Sequence, residues 1–170
     1  MTLRVAKFAL TAGLALYYTL VVLNNLTDYD SNYQFVRHVL MMDATFAGNH
    51  VMWRAIQSPT VHTAFYLSII VWECVTTALL WVGVVQMVRR LRRSAAEFHA
   101  AKKWALAGLT LGAAMWLVAF LSVGGEWFAM WQSKTWNGQD AAFRMFCVTG
   151  IVLLVVAQRD EEAGNFTLDT

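Results

Sequence analysis

Four apolar stretches, about Leu3 to Leu23, Val61 to Val88, Trp104 to Val123 and Ala141 to Val156, constrain this 170-residue chain more than anything else in it. Each is long enough as a helix to cross the roughly 30 Å hydrocarbon core of a bilayer, the last by drawing on its flanks. Inside a bilayer every backbone N–H and C=O must find a partner within the protein, and a helix supplies those partners segment by segment. The pattern predicts an all-α membrane protein, a single four-helix bundle over residues 1–170 with spans at about 3–25, 59–90, 103–125 and 140–158. Composition agrees: 14% of residues are charged, against roughly 25% in a soluble domain. A net charge of +2 gives no reason to expect a nucleic-acid partner. Arg4 and Lys7 precede the first run as in a signal peptide, but no small-x-small cleavage site follows Val22, so the run reads as a retained helix.

The connections set an orientation. The stretch from Arg89 to Lys103 holds six of the thirteen lysines and arginines, and such loops stay on the cytoplasmic side. Loop 91–102, tail 159–170 and both termini are therefore expected inside, and segments 26–58 and 126–139 outside. The first outward segment is predicted to carry two short interfacial helices. One follows an N-cap at Ser31 and places Phe35, Val36, Val39 and Leu40 on one face. The other runs from Asn49 through Gln57, with Val51, Met52 and Ile56 inward and Arg54 toward water. Both are expected to pack on the Trp136-Asn137-Gly138-Gln139 connector. Ser58 and Pro59 suit the start of the second span. Gly108 and Gly112 have the small-xxx-small spacing that lets helices approach closely. Gly124 and Gly125 are expected to kink or end the third span. The tail after Arg159, beginning at Asp160, reads as a solvated acidic end.

Candidate chemistry concentrates in few places. Glu73 lies about 15 residues from either end of the second span, which at 1.5 Å per residue puts it near the bilayer midplane. A carboxylate there is either protonated and packed or part of a relay or ligand site. Glu126, Trp127, Trp131, Gln132, Trp136, Asn137, Gln139 and Arg144 crowd the last outward connector. Trp127 and Trp131, four apart, would share a helical face, and Glu126 and Arg144 would come to similar depth and pair. This set reads either as an interfacial anchor or as the lining for a quinone, a lipid head group or a partner protein. His38, His50 and His62 fall outside with Met41, Met42, Met52 and Asp43 nearby, a loose set that could hold copper or haem. Their spacing matches no ligand motif, so no metal or cofactor is expected from it. Cys74 and Cys147 lie in apolar runs as small buried hydrophobes. P-loop, dinucleotide, nucleophile-elbow and HExxH patterns are all missing, which weakens an enzyme reading.

Gly125, Glu126, Trp127, Met130, Trp131, Gln132 and Ser133, then Trp136 to Gln139, Ala142 and Arg144, resemble a family of bacterial predicted small integral membrane proteins classed as a domain of unknown function. The resemblance implies a multi-pass protein of the bacterial inner (cytoplasmic) membrane and supplies no reaction, cofactor or substrate. The residues themselves favour a non-catalytic accessory subunit or interaction protein that presents its outer surface to membrane lipid, a lipid-like ligand or a larger membrane complex. A redox module binding haem, copper or quinone is one alternative. A small proton-coupled carrier using Glu73 is the other.

Overall fold

The computed structural model describes residues 1–160. Among these residues the elements are helices and turns: α1 (Thr2–Thr27), α2 (Tyr29–Met41), α3 (Pro59–Arg89), α4 (Ala95–Ala101), α5 (Lys103–Ala114) and α6 (Gln139–Ala157). α5 continues without a break as a π-helical segment, Met115–Trp127, and single 3₁₀ turns occur at Met52–Arg54 and Met130–Gln132. Four helical stretches, Thr2–Thr27, Pro59–Arg89, Ala95–Trp127 and Gln139–Ala157, are long and apolar enough to cross a membrane. Their outward side chains make the same point, since Val71, Ile151 and Leu154 are 61%, 61% and 70% exposed. A bundle that is apolar inside and outside matches a lipid surround.

α3 and α5 meet through small residues. A Cβ on Gly83 would run into the Ala105 backbone, one on Gly108 would lie 2.9 Å from Leu80 Cγ, and one on Gly112 would lie 3.0 Å from Tyr18 Cζ. With no hydrophobic drive between helices in lipid, such close approach is where packing energy comes from. The core between α1, α3 and α5 is filled by Leu14, Tyr18, Leu80, Met87, Leu109 and Met115. Cys147 is half-buried, but Cys74 faces outward, contrary to its expected burial; both are free thiols.

One end of the bundle is basic. α4 starts at a capping box, with Ser94 Oγ accepting from the Glu97 N–H and Glu97 Oε2 accepting from the Ser94 N–H. Arg4 donates to the Arg93 carbonyl at 2.6 Å and lies over the Phe98 ring. Deeper, Lys7 and Lys102 are fully buried and share Asp160, at 2.7 Å to Oδ1 and 2.6 Å to Oδ2. Both lysines also donate to the Gln158 carbonyl, just past the end of α6, where the helix dipole favours positive charge. The expected solvated tail is thus corrected at its first residue: the Asp160 side chain is 1% exposed and ties Lys7 of α1 to Lys102 at the junction of α4 and α5. The remainder of that expectation, residues 161–170, lies outside the described residues.

The opposite end carries the aromatic cap. α2 begins three residues earlier than the sequence suggests, because Asp28 takes the N-cap position and Ser31 Oγ donates to its carboxylate at 2.8 Å. Val36, Val39 and Leu40 are buried and Phe35 is half-buried, the face anticipated. The second short helix does not form. Gly48 takes a left-handed φ of 79°, Asn49 Oδ1 captures the Val51 N–H, and only the Met52–Arg54 turn remains. Val51 and Ile56 pack inward as expected, but Met52 is exposed and Arg54 is half-buried, the reverse of what the sequence suggests for those two. Gly124 and Gly125 end nothing either. The π segment runs through both, its wider turns marked by the Phe128 N–H donating to Val123 O and Ser122 Oγ to Leu117 O, each five residues back.

Candidate functional site

Two sites can be built at the aromatic end. The outer one is a basin of about 480 Å³ whose wall includes Glu126, Trp131 and Gln132 together with Asn49, His50 and Arg54. Gln132 holds the two loops together, its Oε1 accepting from the Phe46 N–H and Asn49 Nδ2, both at 3.1 Å. Trp127 and Trp131 do not share a face. The helix stops at Trp127 and Ala129 turns left-handed at φ 51°, so each indole finds its own partner. Trp127 meets Trp53 edge-on at 5.9 Å and Trp131 meets Phe46 edge-on at 5.8 Å. Arg54 lies over both Trp53 and Trp127, at 5.2 and 4.7 Å from the ring centres. A guanidinium between two indoles is held by cation–π attraction as well as by its bond to the Trp127 carbonyl.

The other expected members lie elsewhere. Trp136 stacks on His38 with ring centres 4.5 Å apart, and His38 Nδ1 is 2.7 Å from Asp43. Asn137 accepts from the Gln139 N–H inside its own turn, and the Gln139 amide occupies the space that a side chain on Gly125 would need. The expected Glu126–Arg144 pair is not made among the described residues, and Arg144 projects outward from α6. His50 is exposed, and His62 is buried with Nε2 2.8 Å from the Ile56 carbonyl. The three histidines do not converge, and among the described residues no group of three potential metal ligands forms.

The inner site is built around Glu73. α3 overshoots α1, so Glu73 is level not with the middle of its neighbour but with the last turn, where Asn25 Nδ2 donates to Glu73 Oε2 at 2.5 Å. Asn25 is itself fixed, because the Tyr66 hydroxyl donates to its carbonyl oxygen at 3.0 Å and to its Oδ1 at 3.3 Å. That locks the amide with its NH₂ toward the carboxyl group. Thr77, one turn on, donates to the Glu73 backbone carbonyl and not to its carboxyl group. Glu73 is 2% exposed, and among the described residues its Oε1 has no hydrogen-bond partner. It forms part of the wall of a cavity of about 290 Å³ bounded by α1, α2, α3, the π segment and the start of α6. A second cavity of about 200 Å³ adjoins it between α2, α3 and the π segment, lined by apolar side chains and Ser68. Phe35, Val36, Ile69 and Phe120 line both.

Sequence reasoning passed over Asn25, Tyr66 and Trp116. Asn25 lies at the polar end of α1 and Trp116 within an apolar run, so neither carries a local signal of its partner. The Trp116 indole N–H donates to the Tyr18 hydroxyl at 2.8 Å and so fixes one cavity wall.

The fold and these sites define a small multi-pass helical membrane protein. A family model described as "predicted small integral membrane protein (DUF2165)" matches residues 3–159, and the chain belongs to that family. Searches of curated proteins and of solved structures return no match.

Proposed function

We propose that this protein is a binding protein for an amphipathic, lipid-like ligand, held beneath α2 with its apolar part between α2, α3 and the π segment and its polar head at Glu73. One observation carries the reading: a buried carboxyl group with a spare oxygen stands in a cavity that shares a wall with an almost wholly apolar one. Burying an ionisable group in a span costs several kcal/mol, and membrane proteins keep such groups chiefly where they act. Phe35 and Phe120 belong to both cavities, so rotation of either side chain joins them into one amphipathic slot. Phe65, Ser68 and Val118 are exposed beside the apolar cavity and give it a lateral mouth.

The test uses an uncharged alkyl diazirine in lipid nanodiscs. Labelling is expected at Val39 and Ile69 as well as at lipid-facing Leu154, and Ala119→Trp, which fills the apolar cavity, should remove the first two labels and spare the third. Labelling confined to lipid-facing positions, or unchanged by Ala119→Trp, overturns the reading.

A second reading is favoured by the exposed rings around the outer basin, where Phe46, Trp53, Trp127 and Trp131 are 57%, 71%, 48% and 48% exposed. Contiguous apolar patches of this kind mark interaction surfaces. On this reading the protein is an accessory subunit of a larger complex in the inner membrane, with the basin on its outer side. Cross-linking from Trp53→Cys in native membranes should then capture one constant partner, and a protein that always runs alone counts against it.

A further inference from the structure

Resting on the inner-cavity reading, we propose that the head group taken at Glu73 is an organic cation, an amine or quaternary ammonium carried on an apolar tail. The cavity wall contains Tyr17, Phe35, Tyr66, Trp116 and Phe120, and among the described residues Glu73 is its one charged side chain, with no lysine, arginine or histidine beside it. Aromatic faces carry the negative lobe of the ring quadrupole and attract cations, most strongly where water is excluded. An unpaired carboxylate in such surroundings attracts a cation far more than it would in water, because little solvent screens the pair. Anionic heads meet both repulsions at once. Neutral polar heads gain a hydrogen bond and nothing from the charge.

Geometry fixes which side of Glu73 is offered. Asn25 occupies Oε2, and Tyr66 prevents Asn25 from turning its acceptor toward the carboxyl group, which leaves Oε1 for the ligand. Asn32 also lines the cavity, and with its Nδ2 donating to the Asp28 carbonyl its amide oxygen can accept from an ammonium N–H. The volume, about 290 Å³, sits at the lower edge of the roughly 300–1,000 Å³ typical of small-molecule pockets. That suits a compact head with its tail lodged elsewhere.

The experiment measures binding of decyltrimethylammonium, decanol and decyl sulfate, equal in chain length, to the full chain in nanodiscs of neutral lipid. The cation should bind at least tenfold more tightly than decanol, with decyl sulfate weakest. Glu73→Gln should remove that preference and leave decanol unchanged. Tyr17→Leu takes away one ring at a half-buried position and should weaken the cation severalfold, which keeps the test decisive if Glu73→Gln does not fold. Equal binding of cation and alcohol, or cation binding unchanged in a folded variant, overturns the cation assignment while leaving an amphiphile cavity in place. Failure of all three probes to bind overturns both readings.

Discussion

Each end of this bundle buries a carboxyl group, and the two are treated in opposite ways. Asp160 is met by Lys7, Lys102 and, at 3.5 Å, His99, so both its oxygens face positive partners. Glu73 receives a single amide and keeps one oxygen idle among the described residues. A carboxylate paired with two ammonium groups in a low-dielectric setting is a fastening, since its charge is matched within the fold. A half-engaged one stands beside a cavity because the fold has left it capacity to bind something else. The contrast teaches where to look for function: at the buried charge the protein has not finished satisfying.

The largest expected effect is at the fastened end. Asp160→Asn leaves two buried ammonium groups without a counterion and should lower stability by about 3–5 kcal/mol, measured as thermal unfolding in mild detergent. Equal losses for Asp160→Asn and Glu73→Gln would break the comparison outright.

Acid should act on the same contact. Burial alone pushes the Asp160 carboxyl up, but hydrogen bonds and charge from Lys102 and Lys7 outweigh it and hold it below its ordinary value of 3.8. A depressed folded-state pKa gives stability that is complete well above the unfolded value and fades as pH falls through the folded one. Unfolding temperature should therefore drop as pH falls below about 3.8, and this limb should be missing in Asp160→Asn. An identical acid limb in the variant would assign it to other carboxylates.

Between the two ends lies the glycine seam. Gly112→Ala would press a methyl group onto Tyr18 and disturb its bond from Trp116, at a cost of about 1–3 kcal/mol typical of overpacking. A shift in tryptophan emission should accompany the loss of stability. Glu73→Gln should do less, staying within about 1 kcal/mol of wild type, because a glutamine carbonyl can still accept from Asn25. Arg54→Ala removes two cation–π contacts worth about 0.5–1 kcal/mol each, a comparable loss confined to the aromatic cap. It should alter the fluorescence of Trp53 and Trp127 and leave the bundle intact.

The bundle was legible in the sequence because length and hydropathy are local properties, and lipid demands them of every span. The Gly108 and Gly112 seam was legible for a related reason: the spacing states a surface, whatever packs on it. What stayed hidden depends on chain segments far apart. Lys7 and Lys102 were counted as markers of orientation, although two lysines at the edge of apolar runs also ask for a carboxylate, and Asp160 was the acid next to a span end. Trp127 and Trp131 looked like neighbours on a helix, a relation that one left-handed residue, Ala129, abolished. The bond from Asn25 to Glu73 joins two helices 48 positions apart, a relation that no local pattern states. For the candidate site, the crowding of Glu126, Trp131 and Gln132 could be read directly, but the pairing of Arg54 with the indoles could not.

The tie from Lys7 to Asp160 joins positions 153 apart, and this has a bearing on biogenesis. α1 can enter the membrane early in translation, yet its ammonium has no counterion until the ribosome has passed Asp160. A nascent chain halted before that residue would hold a helix whose lysine stays near the surface and hydrated, so synthesis of the segment after α6 also draws the first helix to its final depth.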